Sequence, residues 1–137
     1  MNLSTRSWRV KPVVDGECEG EVVLVDQYMS FLGEVDPVRG IVKTEKEEVS
    51  VEGKILVFKG SRGSTVGSYV IYAMKQYGRS PLCMLVKEVE PILIAGCVIA
   101  EIPLLVVEEY DDFASTIKNK NHRYVRYTRG SGILYAW

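Results

Sequence analysis

The sequence predicts an α/β domain with a partly parallel sheet and flanking helices, because three apolar runs alternate with segments of helical spacing. Each run holds at least four consecutive apolar residues, which is typical of strands buried on both faces. Strand–helix–strand units in succession imply parallel strands with helices packed on the sheet faces. The three runs are Ile55–Phe58, Leu82–Val86 and Pro103–Val107.

The first half of the chain is predicted to be richer in strands and turns. Residues 1–16 have no clear pattern and stay unassigned, whereas the β-branched run Glu21–Val25 predicts a strand. Residues 33–40 contain Gly, Asp and Pro and predict a loop. Ile41–Lys43 predicts a short strand, and the acidic stretch 44–52 predicts a solvated connection.

Two helices are predicted between the buried strands. Apolar and aromatic residues recur at helical spacing from Tyr69 to Tyr77, and Gly78 ends this helix. The second helix begins at Glu90-Pro91, since proline suits the first helical position, and reaches Glu101.

Composition and charge argue against several classes of protein. The 137 residues are 47% hydrophobic and 26% charged, as in one globular domain. A net charge of −1 provides no basic field that would draw the chain to nucleic acid or an anionic membrane. The longest apolar run, Ile92–Ala100, is shorter than the roughly 20 residues of a membrane span. Without a hydrophobic leader at the N-terminus, we expect a cytoplasmic protein.

A run rich in glycine and hydroxyl side chains connects the first buried strand to the helix after it, over Gly60–Ser68. A helix N-terminus offers unpaired N–H groups and a positive dipole end, and glycine lets a ligand approach the backbone closely. These features favour a carboxylate or phosphate site, with Arg62 as a further donor. The alternative is a helix that Ser64 or Ser68 merely caps.

Four motifs, in order along the chain, resemble the aconitase-X swivel domain family. The resemblance covers roughly residues 20–107, and the four motifs together are more specific than any one of them. The motifs are Met29–Pro37 with the pattern Ser-Phe-x-Gly-x-Val-Asp-Pro, Gly53–Phe58 followed by Gly60–Val70, Glu90–Leu93 with Gly96, and Ile102-Pro103.

The resemblance implies the swivelling β/β/α fold of the aconitase C-terminal domain. It also implies a hydro-lyase that works only when this chain pairs with a large catalytic subunit, which holds a 4Fe-4S cluster. The implied reaction on a phosphorylated hydroxy acid is dehydration of (R)-5-phosphomevalonate to trans-anhydromevalonate 5-phosphate in the archaeal mevalonate pathway. Another aconitase-X dehydratase, such as one acting on hydroxyproline, is the alternative.

The resemblance also implies roles for the glycine-rich run. Ser64 stands where the family has its catalytic base, which removes a proton from the carbon next to the substrate carboxylate. Ser61, Arg62, Gly63 and Thr65 are expected to bind substrate. Because a serine hydroxyl is a weak base, we expect helix-start N–H groups and Arg62 to stabilise its alkoxide once a partner subunit excludes water.

The cysteines and the single histidine are predicted to bind no metal. Cys83 and Cys97 fall in apolar segments and Cys18 is distant, so nothing resembles ligand spacing and no disulfide set is expected. His122 lies in a polar stretch and is predicted to be a surface residue. Asp36 would either hold its turn or face the substrate cleft, and both alternatives stay open.

The end of the chain differs in character from the rest. We predict a swivelling domain over residues 1–112 and a basic, aromatic extension over residues 113–137, which Gly130-Ser131-Gly132 would make flexible. Such a tail also allows a rival function, a single-stranded nucleic-acid module whose rings stack on bases. The cations are Lys118, Lys120, Arg123, Arg126 and Arg129, and the aromatic residues are Tyr124, Tyr127, Tyr135 and Trp137.

Overall fold

The structure, a computed structural model, describes residues 5–119 and 122–137. The strands in this part of the chain are β1 (Arg6–Val14), β2 (Cys18–Met29), β3 (Val35–Asp36), β4 (Ile41–Lys43), β5 (Glu48–Ser50), β6 (Ile55–Ser61), β7 (Cys83–Val86), β8 (Leu104–Val107), β9 (Tyr124–Tyr127) and β10 (Ile133–Ala136). The helices are α1 (Phe31–Glu34), α2 (Gly67–Gln76), α3 (Pro91–Ala100) and α4 (Tyr110–Lys118).

Seven of the described strands close into one sheet, in the order β1-β10-β9-β2-β6-β7-β8. Strands β2, β6, β7 and β8 are parallel neighbours, whereas β1, β9 and β10 pair antiparallel with the strands beside them. Strands β3, β4 and β5 form a separate small antiparallel sheet. The predicted α/β class with a partly parallel sheet is therefore confirmed.

The central strand β6 shows why its run of apolar residues is continuous. Ile55 and Val57 belong to a core that includes residues of α4, whereas Leu56 and Phe58 belong to a second core with α2 and α3. Because alternate side chains of a strand point to opposite faces, both faces of β6 need apolar residues. All four side chains are fully buried.

Close packing of α2 against α3 depends on Gly96. A Cβ at this position would lie 2.7 Å from Ile71 Cδ1 and 3.2 Å from the backbone Cα of Ser68. A larger residue would force the helices apart, so Gly96 permits the short distance between them. None of the helices within residues 5–119 and 122–137 is both long and apolar enough to cross a membrane.

The predicted elements of the first half differ from the structure in detail. Residues 1–16 contain β1, in which Trp8 and Val10 are buried and alternate with exposed Arg9 and Lys11. The predicted loop 33–40 contains the end of α1 and β3, and the predicted connection 44–52 contains β5. The predicted strand Ile41–Lys43 is confirmed, as are both helices, with starts at Gly67 and Pro91.

The boundary predicted at residue 112 is wrong, because α4 crosses it and β9 and β10 complete the closed sheet. In β9, Val125 and Tyr127 are buried while Tyr124 and Arg126 are exposed. Some of the basic and aromatic residues thus lie on the solvent-facing side of these strands and do not belong to a flexible tail. Tyr124 also stacks against Trp137, with ring centroids 6.4 Å apart, and Lys120 lies outside the described residues.

The prediction that the cysteines form no disulfide is also wrong. Cys18 at the start of β2 and Cys83 at the start of β7 are bonded to each other across 65 residues of sequence. Cys83 is fully buried, as predicted, and so is the free thiol of Cys97. Burial raises the pKa of Cys97 to about 12, so this side chain stays a neutral thiol.

Candidate active site

The glycine-rich run leaves the end of β6 and enters α2 as a short loop over residues 62–66. Gly63 has φ +94°, a conformation that side chains with a Cβ rarely adopt. A Cβ there would also lie 3.2 Å from Ser30 Oγ, so glycine lets the loop pass close to the residue before α1. The turn at Gly63 fixes the path of the chain from the end of β6 to the next residue, Ser64.

A cavity of about 250 Å³ lies beside this loop, between α1 and the starts of α2 and α3. One wall is polar and consists of residues 61–64 and the carboxylate of Glu90. The other wall is apolar and includes Phe31, Ile71 and Leu93. A wall of each kind suits a small ligand that has both charged groups and a carbon skeleton.

Ser64 is exposed and lies at the mouth of the cavity. Its Oγ accepts a hydrogen bond from the amide of Val66 at 3.2 Å, and its carbonyl accepts one from Gly67 at 3.1 Å. The residue at the N-cap of α2 is Val66, which makes no side-chain cap. Ser64 therefore organises the turn before the helix, and the N–H group of Val66 points at its hydroxyl oxygen.

The backbone around Ser64 has donors to offer. Within the described part of the chain, the amides of Gly63, Ser64 and Thr65 have no hydrogen-bond acceptor. Glycine-rich turns with unpaired N–H groups form concave sites for anions. Thr65 is exposed and contributes both an amide and a hydroxyl to this side of the loop.

Ser61 faces the cavity but its hydroxyl is engaged. Ser61 Oγ donates a hydrogen bond to Glu90 Oε1, and Glu90 also accepts from the amides of Ile92 at 2.9 Å and Leu93 at 2.8 Å. Burial alone would raise the pKa of Glu90, but these three hydrogen bonds lower it below its ordinary value. Glu90 is thus an ionised N-cap of α3.

Arg62, which carries the positive charge of the loop, lies beside the carboxylate of Glu34. Its Nη2 lies 3.6 Å from Glu34 Oε2, and Glu34 Oε1 accepts a hydrogen bond from the Ser30 amide at 2.6 Å. The Arg62 side chain is 59% exposed, so its other donors face outward. Glu34 was not among the predicted site residues, although it stands in the Met29–Pro37 motif.

Two further residues weighed from the sequence lie outside the cavity. Asp36 Oδ1 accepts hydrogen bonds from the amides of Val38 at 3.1 Å and Arg39 at 3.2 Å, so Asp36 holds its own turn. His122 is buried, at 8% exposure, and not the surface residue that the polar stretch predicted. The polar residues around His122 in the sequence gave no indication that its side chain is buried.

The residues present do not fit an iron–sulfur cluster. Among residues 5–119 and 122–137, no three His, Cys, Asp or Glu side chains lie close enough together to hold a metal ion. Two of the cysteines are joined in a disulfide and the third is a buried neutral thiol. Cluster ligation needs several thiolates in one place, which these residues do not provide.

A family profile described as the aconitase X swivel domain matches residues 7–135. The chain belongs to this family. The resemblance drawn from the four motifs is therefore confirmed, and the swivel domain extends over β1, β9 and β10 at either end. The swivelling fold implied by the motifs is confirmed with it.

Two relatives of this swivel domain carry the same name, and one solved structure is similar to it along nearly its whole length. A protein of Aeropyrum pernix named phosphomevalonate dehydratase small subunit is 50% identical over 97 residues, covering 71% of this chain and 70% of the relative. A protein of Thermococcus onnurineus with the same name is 39% identical over 127 residues, covering 90% and 93%. The crystal structure of Thermococcus kodakaraensis aconitase X in its holo-form is similar, with a TM-score of 0.82 and 36% identity over 96% and 98% of the chains.

Proposed function

We propose that this swivel domain is the small subunit of a hydro-lyase that dehydrates (R)-5-phosphomevalonate to trans-anhydromevalonate 5-phosphate. The observation that carries the proposal is the shared name of relatives such as the Thermococcus onnurineus protein, which matches along 90% of this chain. The reaction belongs to the archaeal mevalonate pathway of isoprenoid biosynthesis, and the proposed setting is the cytoplasm.

In the proposed reaction, the Ser64 alkoxide takes the proton from the carbon next to the substrate carboxylate, and the electron pair of that C–H bond forms the new double bond. The hydroxyl group leaves the neighbouring carbon as hydroxide, which takes the proton back from Ser64 and so restores the alkoxide. Proton and hydroxyl together make up the water that is eliminated. The amide of Val66, 3.2 Å from Ser64 Oγ, supports this role because it stabilises negative charge on that oxygen. The amides of Gly63, Ser64 and Thr65 are then placed to bind the substrate carboxylate.

Two observations support a partner subunit, the first at the Ser64 loop and the second at α3. Ser64 is exposed, whereas the N–H groups and Arg62 stabilise an alkoxide only where water is excluded. In addition, α3 has no charged residue between Pro91 and Ala100 and exposes Val98 and Ile99 at 55% and 59%. A helix that is apolar all round is ordinarily buried. We propose that a large subunit of the aconitase-X type covers the Ser64 loop and the exposed apolar residues of α3.

The charges at the cavity support a phosphate-binding site that lies in the large subunit and not in this chain. Of the charged side chains that line it, Arg62 is positive and already lies beside Glu34, and Glu90 is negative. A phosphate dianion needs more positive charge than this wall supplies. We propose that the large subunit provides the phosphate site and holds the 4Fe-4S cluster.

Anaerobic affinity purification of this chain from its native cells tests the proposal. The expected result is stoichiometric recovery of a second chain of the aconitase X catalytic type, which carries iron and sulfide. Mass spectrometry identifies the second chain, and iron analysis after separation should find the metal with that chain alone. Recovery of nucleic acid instead, or of this chain without such a subunit, contradicts the proposal.

A further inference from the structure

A partly buried contact between the end of β6 and the N-cap of α3 lies next to the loop that carries Ser64. The hydroxyl group of Ser61, the last residue of β6, donates a hydrogen bond to Glu90 Oε1. The same carboxylate accepts from the amides of Ile92 and Leu93, so its other hydrogen bonds tie it to the start of α3. The contact therefore joins the end of the central strand to a helix that is itself packed on α2.

The loop after Ser61 is held by few other interactions. The Arg62 amide donates to Met29 at 3.0 Å, and Gly67 donates back to Ser64 within the loop. Across residues 63–65, within the described part of the chain, no amide donates a hydrogen bond. The position of Ser64 is consequently set by how firmly the two ends of the loop are held.

We propose that Ser61 and Glu90 together are positioning residues for Ser64, a role that rests on the proposed function of Ser64. The hydroxyl of Ser61 serves Glu90 rather than the substrate. Glu90 also occupies two N-terminal amides of α3, which leaves the amides of the Ser64 loop as the donors available to a substrate anion. Loss of the contact allows Ser64 to move, and a displacement of about 1 Å can lower a rate about 10²-fold.

The test is a double-mutant cycle of Ser61→Ala and Glu90→Asp in the assembled complex. Ser61→Ala removes the donor and leaves Glu90 as the cap of α3. Glu90→Asp also removes the contact, because aspartate is a favourable N-cap but is too short to reach Ser61. Each single variant should lower kcat about 10- to 100-fold with KM within about twofold, and the double variant should be no slower than the slower single variant. Ser61→Thr keeps the hydroxyl and should retain kcat.

Glu109→Asp is the matched control, because Glu109 stands at the N-cap of α4 without a side-chain cap bond. It should leave kcat unchanged. Additive losses in the cycle, or a raised KM with normal kcat in Ser61→Ala, would overturn the proposal. The second of these outcomes would mean that Ser61 binds substrate directly.

A measurement without substrate separates this inference from the proposed function. In the full-length chain, NMR order parameters of residues 62–66 should fall in Ser61→Ala and Glu90→Asp and stay unchanged in Glu109→Asp. Unchanged order in the first two variants overturns the positioning role. If loop order falls as expected but the wild-type complex does not dehydrate 5-phosphomevalonate, the proposed function fails and the contact stands.

Discussion

Replacement of Ser64 by alanine is expected to lower kcat of the assembled complex by about 10²- to 10⁴-fold, the usual loss for a general base. The substitution removes the oxygen that accepts the proton. It also removes a hydrogen bond to the Val66 amide at 3.2 Å, which lies at the surface. Because Ser64 is exposed in this chain, the fold should be unaffected, and the loss of one hydroxyl group should still allow the complex to assemble. Dehydration rates and analytical ultracentrifugation of the same preparation measure the two effects.

The control for this change is Ser50→Ala on the exposed side of β5, outside the cavity lining. This variant should retain the kcat and KM of the wild type. A Ser64→Ala complex with turnover near that of the control would remove Ser64 from the reaction. Its hydroxyl would then serve only the turn before α2.

Loss of the Cys18–Cys83 disulfide should lower the free energy of unfolding by about 4 kcal/mol. This value follows from the chain entropy that a bond across 65 residues removes from the unfolded state. Guanidinium unfolding of the isolated chain, with and without reductant, measures the difference. Cys18→Ser should reproduce the effect of reductant, because Cys18 is the less buried partner.

The variant provides its own control. Reductant should leave the unfolding midpoint of Cys18→Ser where it was, since Cys97 remains a free thiol either way. Identical midpoints for the wild-type chain with and without reductant would contradict a stabilising role for the disulfide.

Local patterns predicted the parts of the fold that depend on neighbouring residues. Ile55–Phe58 is apolar throughout because both faces of β6 are buried, and that need is visible within four residues. Pro91 marks the start of α3 for an equally local reason. The strands at the two ends of the chain were missed, since Tyr124–Tyr127 alternates buried and exposed side chains too briefly to stand out from a charged tail.

The loop around Ser64 was predictable in position, but its contacts were not. Glycines and hydroxyls between a strand and a helix located the loop around Ser64. The partners of that loop come from distant segments: Glu90 is 29 residues from Ser61. The same limit applies to the disulfide, because spacing in sequence does not show that the starts of β2 and β7 lie close together. Such pairs depend on the strand order of the closed sheet.

The most direct test of the central claim is an anaerobic assay of the reconstituted two-subunit complex with (R)-5-phosphomevalonate. ³¹P NMR and mass spectrometry follow formation of a product lighter by one water. The proposed function predicts trans-anhydromevalonate 5-phosphate only when both subunits are present, and no reaction with hydroxyproline. A complex that dehydrates hydroxyproline but not 5-phosphomevalonate, or a large subunit that is fully active without this chain, would contradict it.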